Sequence, residues 1–246
     1  MLTAEGVLNA DSYLGLRDDI LTTALAHRPR AIIIDVTNLE VPAPTAWAVF
    51  TSARWQLARW PATPIVLACG TGAARESLAR TNIGQHIAIY GSTGGAIDIL
   101  RGHPRPQAAR RASAVLPACD SSAIQARQLM TRWLTDWSQT HLISQANTVA
   151  TVLVDNVLHH TDSPAGLSAE TTNTGTMVLA VSDNSHVLPA RHEDTERGPH
   201  PVSGLAIVSC LAQAWGAIPT TCGKTVWARL GAPFPRATFL PHRRNT

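Results

Sequence analysis

Three short apolar runs recur in the first hundred residues: 31–36 (AIIIDV), 64–69 (PIVLAC) and 86–90 (HIAIY). Each is long enough for one buried strand and too short for a helix. The segments between them carry apolar residues at helical spacing. A strand–helix–strand repeat of this kind implies a largely parallel sheet, with the crossover helices lying over it. The expected order is a helix through Leu14, Leu16, Ile20, Leu21 and Leu25, the first strand, and a turn at Val41-Pro42-Ala43-Pro44. A helix over 45–59, the second strand, a helix over 73–81, the third strand and a helix over 93–100 follow.

The pattern stops at Arg101-Gly102-His103-Pro104-Arg105-Pro106, a stretch running on to Arg111 that combines Pro, Gly and like charge. Such a stretch does not pack as a core element. The expected organisation is therefore an α/β domain over 1–101, a linker over 102–114, a second domain over 115–231 and a tail over 232–246. In the second domain helices are expected over 122–137 and 145–160, and a strand over 176–182. A polar loop over 183–203, a helix over 204–215 and a closing strand over 225–230 complete it.

At 246 residues and 45% hydrophobic composition, each half can bury a core of its own. No apolar run reaches the length of a membrane span, and the first residues lack a basic region followed by an apolar one, so the expected location is the cytoplasm. Cys69, Cys119, Cys210 and Cys222 form no CxxC pair and sit mostly in apolar contexts, which reads as reduced core thiols rather than disulfides or a zinc site. The formal charge of +3 balances 19 Arg and one Lys, spread along the chain, against 17 acidic residues, with no stripe that would grip nucleic acid directly.

Three separated segments of the second half carry chemistry. They are TVLVDNVLHHT with Asn156, LAVSDNS with Asp183, and VSGLAIVSCLAQAWG with Gly204, the last followed by GKTVWARL. In order and spacing they resemble the GHKL (Bergerat-type) ATPase domain of bacterial anti-sigma factors and serine kinases, an α/β sandwich. The resemblance covers about 116–230. It implies ATP or ADP with Mg²⁺ as cofactor. Asn156 takes the position of the Asn whose oxygen ligates the Mg²⁺ bridging the nucleotide phosphates, and Asp183 that of the Asp accepting a hydrogen bond from the adenine amino group. Gly204 and Leu205 match the glycine turn at a helix start, where backbone N–H groups and the helix dipole favour phosphate. Val202 stands where the pattern has an earlier glycine. Thr225 matches a Thr near the adenine, and reads equally as an ordinary strand Thr.

The same resemblance puts a Glu one helical turn before the Asn, on the same face, to act as general base. Here that position is Val152, which accepts no proton. Asp155 is the substitute at hand, but it precedes Asn156 directly and so points about 100° away around the helix. His159 and His160 are adjacent and diverge by the same angle, which reads as surface or cap histidines rather than a metal pair. No GxSxG elbow supports a hydrolase triad. Gly70-Thr71-Gly72 reads as a plain strand-to-helix turn.

The first half resembles a STAS domain, the fold of anti-sigma-factor antagonists, through its order of elements and IIIDVTNLEVPAPTAW at 32–47. In that family the strand runs into an Asp-Ser-x-Gly turn whose Ser is phosphorylated by the partner kinase. Ala43 and Pro44 fall at the Asp and Ser positions. Thr45 is next in line as acceptor, and is expected to serve as an N-terminal cap.

Together the two resemblances imply a partner-switching regulator acting by protein–protein contact, a pseudokinase whose phosphotransfer is weak or lost. The partner would be a sigma factor or another STAS or anti-sigma protein, and the GHKL resemblance of the second half, whose relatives often dimerise, leaves room for a homodimer. Two alternatives stand beside it: an active Ser/Thr kinase using Asp155, and a nucleotide-free scaffold.

Overall fold

The computed structural model describes residues 1–101, 110–171, 175–189 and 204–231. Two compact units divide them: 1–101, 184–188 and 218–225 in the first, and 110–171, 175–183, 189, 204–217 and 226–231 in the second.

The first unit begins with β1 (Leu2–Thr3), β2 (Gly6–Val7), α1 (Ala10–His27), β3 (Ile32–Asp35) and β4 (Leu39–Glu40). A 3₁₀ turn (Pro44–Trp47) leads into α2 (Ala48–Arg59), β5 (Ile65–Ala68), α3 (Ala73–Ala79), β6 (Ile89–Tyr90) and α4 (Thr93–Arg101). The sheet order is β1-β3-β5-β6, and every pairing is parallel. Burial on both faces explains why the strands read as unbroken apolar runs. Ile33, Val66 and Ala68 pack against Ala96, Ile97 and Leu100 of α4, while Ile32, Ile34 and Leu67 are buried on the opposite face. Asn9 caps α1 in a capping box with Ser12. The expected amphipathic stripe of α1 is only partly realised: Ile20 and Leu21 are buried, but Leu14 is exposed.

The later elements are β7 (Arg110–Leu116), α5 (Ser122–Asp136), α6 (Ile143–His160), β8 (Ala165–Thr171), β9 (Met177–Asp183), α7 (Gly204–Leu211), β10 (Ala214–Thr220) and β11 (Gly223–Leu230). They build a five-stranded sheet in the order β10-β11-β9-β8-β7, antiparallel between β7 and β8 and between β8 and β9. Ala146, Val149, Leu153 and Val157 form a stripe along α6 at helical spacing. That stripe shares one core with Met130 and Leu134 of α5 and with Leu167, Leu179, Val181, Ala228 and Leu230 of the sheet. Helices on a sheet give the α/β sandwich that the sequence implies.

Four expectations need correction. Residues 110–114, read as linker, belong to β7, where Ala112, Ala114 and Leu116 face inward and Arg111 pairs with Glu170 across the ladder at 3.4 Å. An edge strand tolerates such charge because one side of it meets solvent; 102–109 lie outside the described residues. Strand β8 was not anticipated, because its inward residues Ala165, Leu167, Ala169 and Thr171 are mostly small. The helix expected to reach Trp215 stops at Leu211, and Ala214 begins β10. Trp227 decides this: its indole lies over Gly216, where a Cβ would sit 3.1 Å from Nε1. Last, only Cys69 is a core thiol, since Cys119, Cys210 and Cys222 are free and exposed in a loop, on the outer side of α7 and in a hairpin turn.

Candidate functional site

Val152 and Asn156 lie one turn apart on α6, and both meet the first residue of α7. A Cβ on Gly204 would stand 2.9 Å from Val152 Cγ1, 3.4 Å from Asn156 Oδ1 and 3.8 Å from Asn156 Nδ2. Only glycine fits such an approach without displacing a neighbour. Val152 is β-branched on a helix and holds essentially one χ1 rotamer, so it does not swing aside. The helix is fastened along its length: Leu205 and Val208 are buried, and Gln145 Nε2 donates to the Leu211 carbonyl oxygen. The structure thus brings Gly204 against Val152 and Asn156, two residues that spacing alone puts on one helix face.

Asp155 is half-buried and belongs to a different face of α6. The three atoms nearest the Gly204 position all come from Val152 and Asn156, and none from Asp155. Asp155 contributes its carbonyl oxygen, 2.7 Å from His159 Nδ1. A carbonyl only accepts, so His159 carries its proton on Nδ1. His160 is exposed, and among the described residues no group of three His, Cys, Asp or Glu side chains is arranged to hold a metal ion.

Asp183 ends β9, half-buried, on the strand whose Leu179 and Val181 share the core with α6. Thr225 is buried on β11, and beside it Lys224, the single lysine of the chain, is buried with Nζ donating to the Ser185 carbonyl oxygen at 3.4 Å. Val202 lies outside the described residues. At α6, β9 and the α7 start the chain thus presents one carboxylate, one amide oxygen and the first N–H groups of a helix. Beside that amide stands the Val152 isopropyl group, which neither takes nor gives a proton.

In the first unit Thr45 is exposed and is not the cap. The 3₁₀ turn starts one residue earlier, with Ala43 as cap residue and Pro44 at the first helical position, and no side chain closes a cap hydrogen bond. Proline suits that position because its missing N–H would be unpaired there anyway. Sequence reasoning missed a polar cluster at the carboxyl ends of β3 and β5. Asp35 accepts hydrogen bonds from the Thr37 N–H at 3.0 Å and from Thr93 Oγ1 at 3.1 Å, while Thr37 Oγ1 accepts one from the Gly70 N–H at 3.1 Å. The Thr37 hydroxyl, then its N–H, and to a lesser degree Thr93 hold the Asp35 carboxyl below its ordinary value against the opposing effect of burial. The cluster joins β3, the β5–α3 turn and the start of α4. Only the three-dimensional arrangement reveals it, because its long-range bonds join residues 33 and 58 positions apart in sequence.

No family model matches the chain, and no curated protein matches its sequence. Among solved structures it is similar to the crystal structure of the RsbU and RsbW domains of Rv1364c from Mycobacterium tuberculosis, with a TM-score of 0.39 and 16% identity. That match covers 50% of this chain and 32% of the other, so the chain spans about a third of the length of its structural neighbour. No helix among the described residues is long and apolar enough to cross a membrane.

Proposed function

We propose that this protein is a regulator of the partner-switching type, which binds ATP or ADP with Mg²⁺ in its second half and acts through protein contacts without transferring phosphate. The observation that carries this reading is the Val152–Asn156–Gly204 assembly, which keeps an oxygen donor and a glycine helix start while presenting an alkyl group where a base would stand. When bound, Mg²⁺ would screen the charge of the nucleotide phosphates. Asn156 would supply one oxygen to it, the first N–H groups of α7 would face the phosphates, and Asp183 would accept from the adenine amino group. Val152 neither takes nor gives a proton, so nucleotide state and not chemistry would carry the signal. The partner in this reading is a sigma factor or a STAS or anti-sigma protein.

The test is incubation of the full chain with γ-labelled ATP, Mg²⁺ and a STAS-type protein. The reading predicts no label on Ser or Thr of either protein. Any clear labelling would overturn it, and labelling abolished by Asp155→Asn would identify an active kinase that uses this acid.

A further inference from the structure

We propose that the free edge of β7 takes an extended acidic segment of a partner protein as an added strand, a contact that does not rest on the nucleotide reading above. Strand β7 is the last of its sheet, paired with β8 on one side, and among the described residues nothing pairs with the other. Such an edge offers a row of unpaired N–H and C=O groups. Beside it runs an apolar flank of α5. Ala126, Met130 and Leu134 turn into the core. Arg127 and Thr131 turn to α6, where Arg127 Nη1 donates to Thr151 Oγ1 at 3.3 Å and Asn147 Nδ2 donates to Thr131 Oγ1 at 3.1 Å. Leu129 and Trp133, one turn apart, therefore stand on the flank away from α6. They are half-buried, and Trp133 stacks on Trp137 with ring centroids 6.5 Å apart. Because α5 lies along β7 while α6 lies along β8 and β9, that flank borders the β7 edge. Arg110 Nη1 donates to the Asp136 carbonyl oxygen at 3.0 Å and fastens strand to helix there.

Charge selects the occupant. Between Asp98 and Asp120 the sequence holds Arg101, Arg105, Arg110 and Arg111 and no acid. Glu170 of β8 answers Arg111, and no carboxylate among the described residues forms an ion pair with Arg110. Arginines on an edge strand repel a second copy of the same edge, which is one way sheets avoid self-association. The same charges attract carboxylates. Backbone hydrogen bonds to β7 would supply affinity, and alternate side chains of the added strand would supply specificity. One row of those side chains would rest on Leu129 and Trp133. The other would lie beside Arg111, Ser113 and Val115 on the outer face, where Val115 is 77% exposed. The segment that fits is extended, apolar on one face and rich in carboxylates on the other.

Calorimetry on the full chain tests this with a synthetic peptide of about nine residues alternating Glu and Val, the same peptide with Lys for Glu, and the Glu peptide methylated on its backbone nitrogens. The Glu peptide should bind about tenfold more tightly than the Lys peptide. Methylation should abolish binding, and the bound Glu peptide should slow hydrogen exchange at β7 amides. Trp133→Ala should weaken the Glu peptide about tenfold, and Arg110→Glu combined with Arg111→Glu should reverse the preference between the two peptides. Equal binding of the Glu and Lys peptides, binding unchanged by methylation, or no binding at millimolar concentration overturns the proposal and leaves the nucleotide reading intact. So does a dimer of the parent chain that sedimentation shows dissociating in Trp133→Ala, which would give this face to a second copy. Circular dichroism of each variant, matched to the parent, establishes that the fold is kept.

Discussion

Replacing Gly204 by alanine sets two effects of known sign against each other. Alanine is the better helix former, by about 1 kcal/mol at an interior position and less at a helix start. Against that, the new Cβ would stand 2.9 Å from Val152 Cγ1, closer than two carbons tolerate. The cost cannot be avoided by rotation, because the β-branched Val152 is confined to one helical rotamer. Nor can α7 slide freely, since Val208 is buried and Gln145 grips Leu211. Overpacking of this kind typically costs about 1–3 kcal/mol. The clash wins, and Gly204→Ala should destabilise α7 by about 1–2 kcal/mol net. Val152→Ala alone removes partly buried methyls and is mildly destabilising. The double variant should be more stable than the sum predicts, with a coupling of about 1 kcal/mol or more, as expected of residues in contact. Urea unfolding of the full chain gives the stabilities, and native-state hydrogen exchange at α6 and α7 amides assigns the loss to this helix pair. A neutral or stabilising Gly204→Ala, or strict additivity with Val152→Ala, would refute the packing argument.

Other expectations follow from the rest of the chain. Thr37→Val deletes the hydroxyl that both donates to Asp35 and accepts from the Gly70 N–H, and should cost about 1–2 kcal/mol at pH 7 in urea unfolding. Because the folded Asp35 pKa is depressed, its stabilisation is present above the ordinary carboxylate value of about 3.9 and is lost as pH falls through the folded value; the Thr37→Val deficit should therefore shrink in melts taken below about pH 4. Hydrogen bonds from Ser121 first and Ser122 second lower the exposed Cys119 thiol, whereas burial raises that of Cys69. Timed iodoacetamide labelling read by mass spectrometry should mark Cys119 well before Cys69. Gly216→Val should destabilise the second unit by about 2 kcal/mol and red-shift Trp emission, because the side chain meets the Trp227 indole.

Elements whose residues carry their own signal were legible in the sequence. The stripe Ala146, Val149, Leu153, Val157 announces α6, and the runs around Ile32–Asp35 and Ile65–Ala68 announce parallel strands. Elements decided by a partner were not. Residues 212–215 continue an apolar helical pattern, and only the fit of Trp227 over Gly216 shows that β10 has begun. Pro219 is admitted there because β10 is an edge of the sheet. Strand β8 hides because alanine and glycine give little period-two contrast, and β7 hides behind its two arginines. At the candidate site, spacing alone put Val152 and Asn156 on one helix face, but nothing in the sequence gave their distance to Gly204. The bonds joining Asp35, Thr37, Gly70 and Thr93 lay beyond sequence reasoning for the same reason.

The most direct test of the account is a crystal structure of the full chain with Mg²⁺ and ADP. The proposed function predicts the adenine amino group on Asp183, the metal on Asn156 Oδ1, and the phosphates at the start of α7. A nucleotide bound elsewhere, or a carboxylate such as that of Asp155 reaching the phosphates, would contradict it.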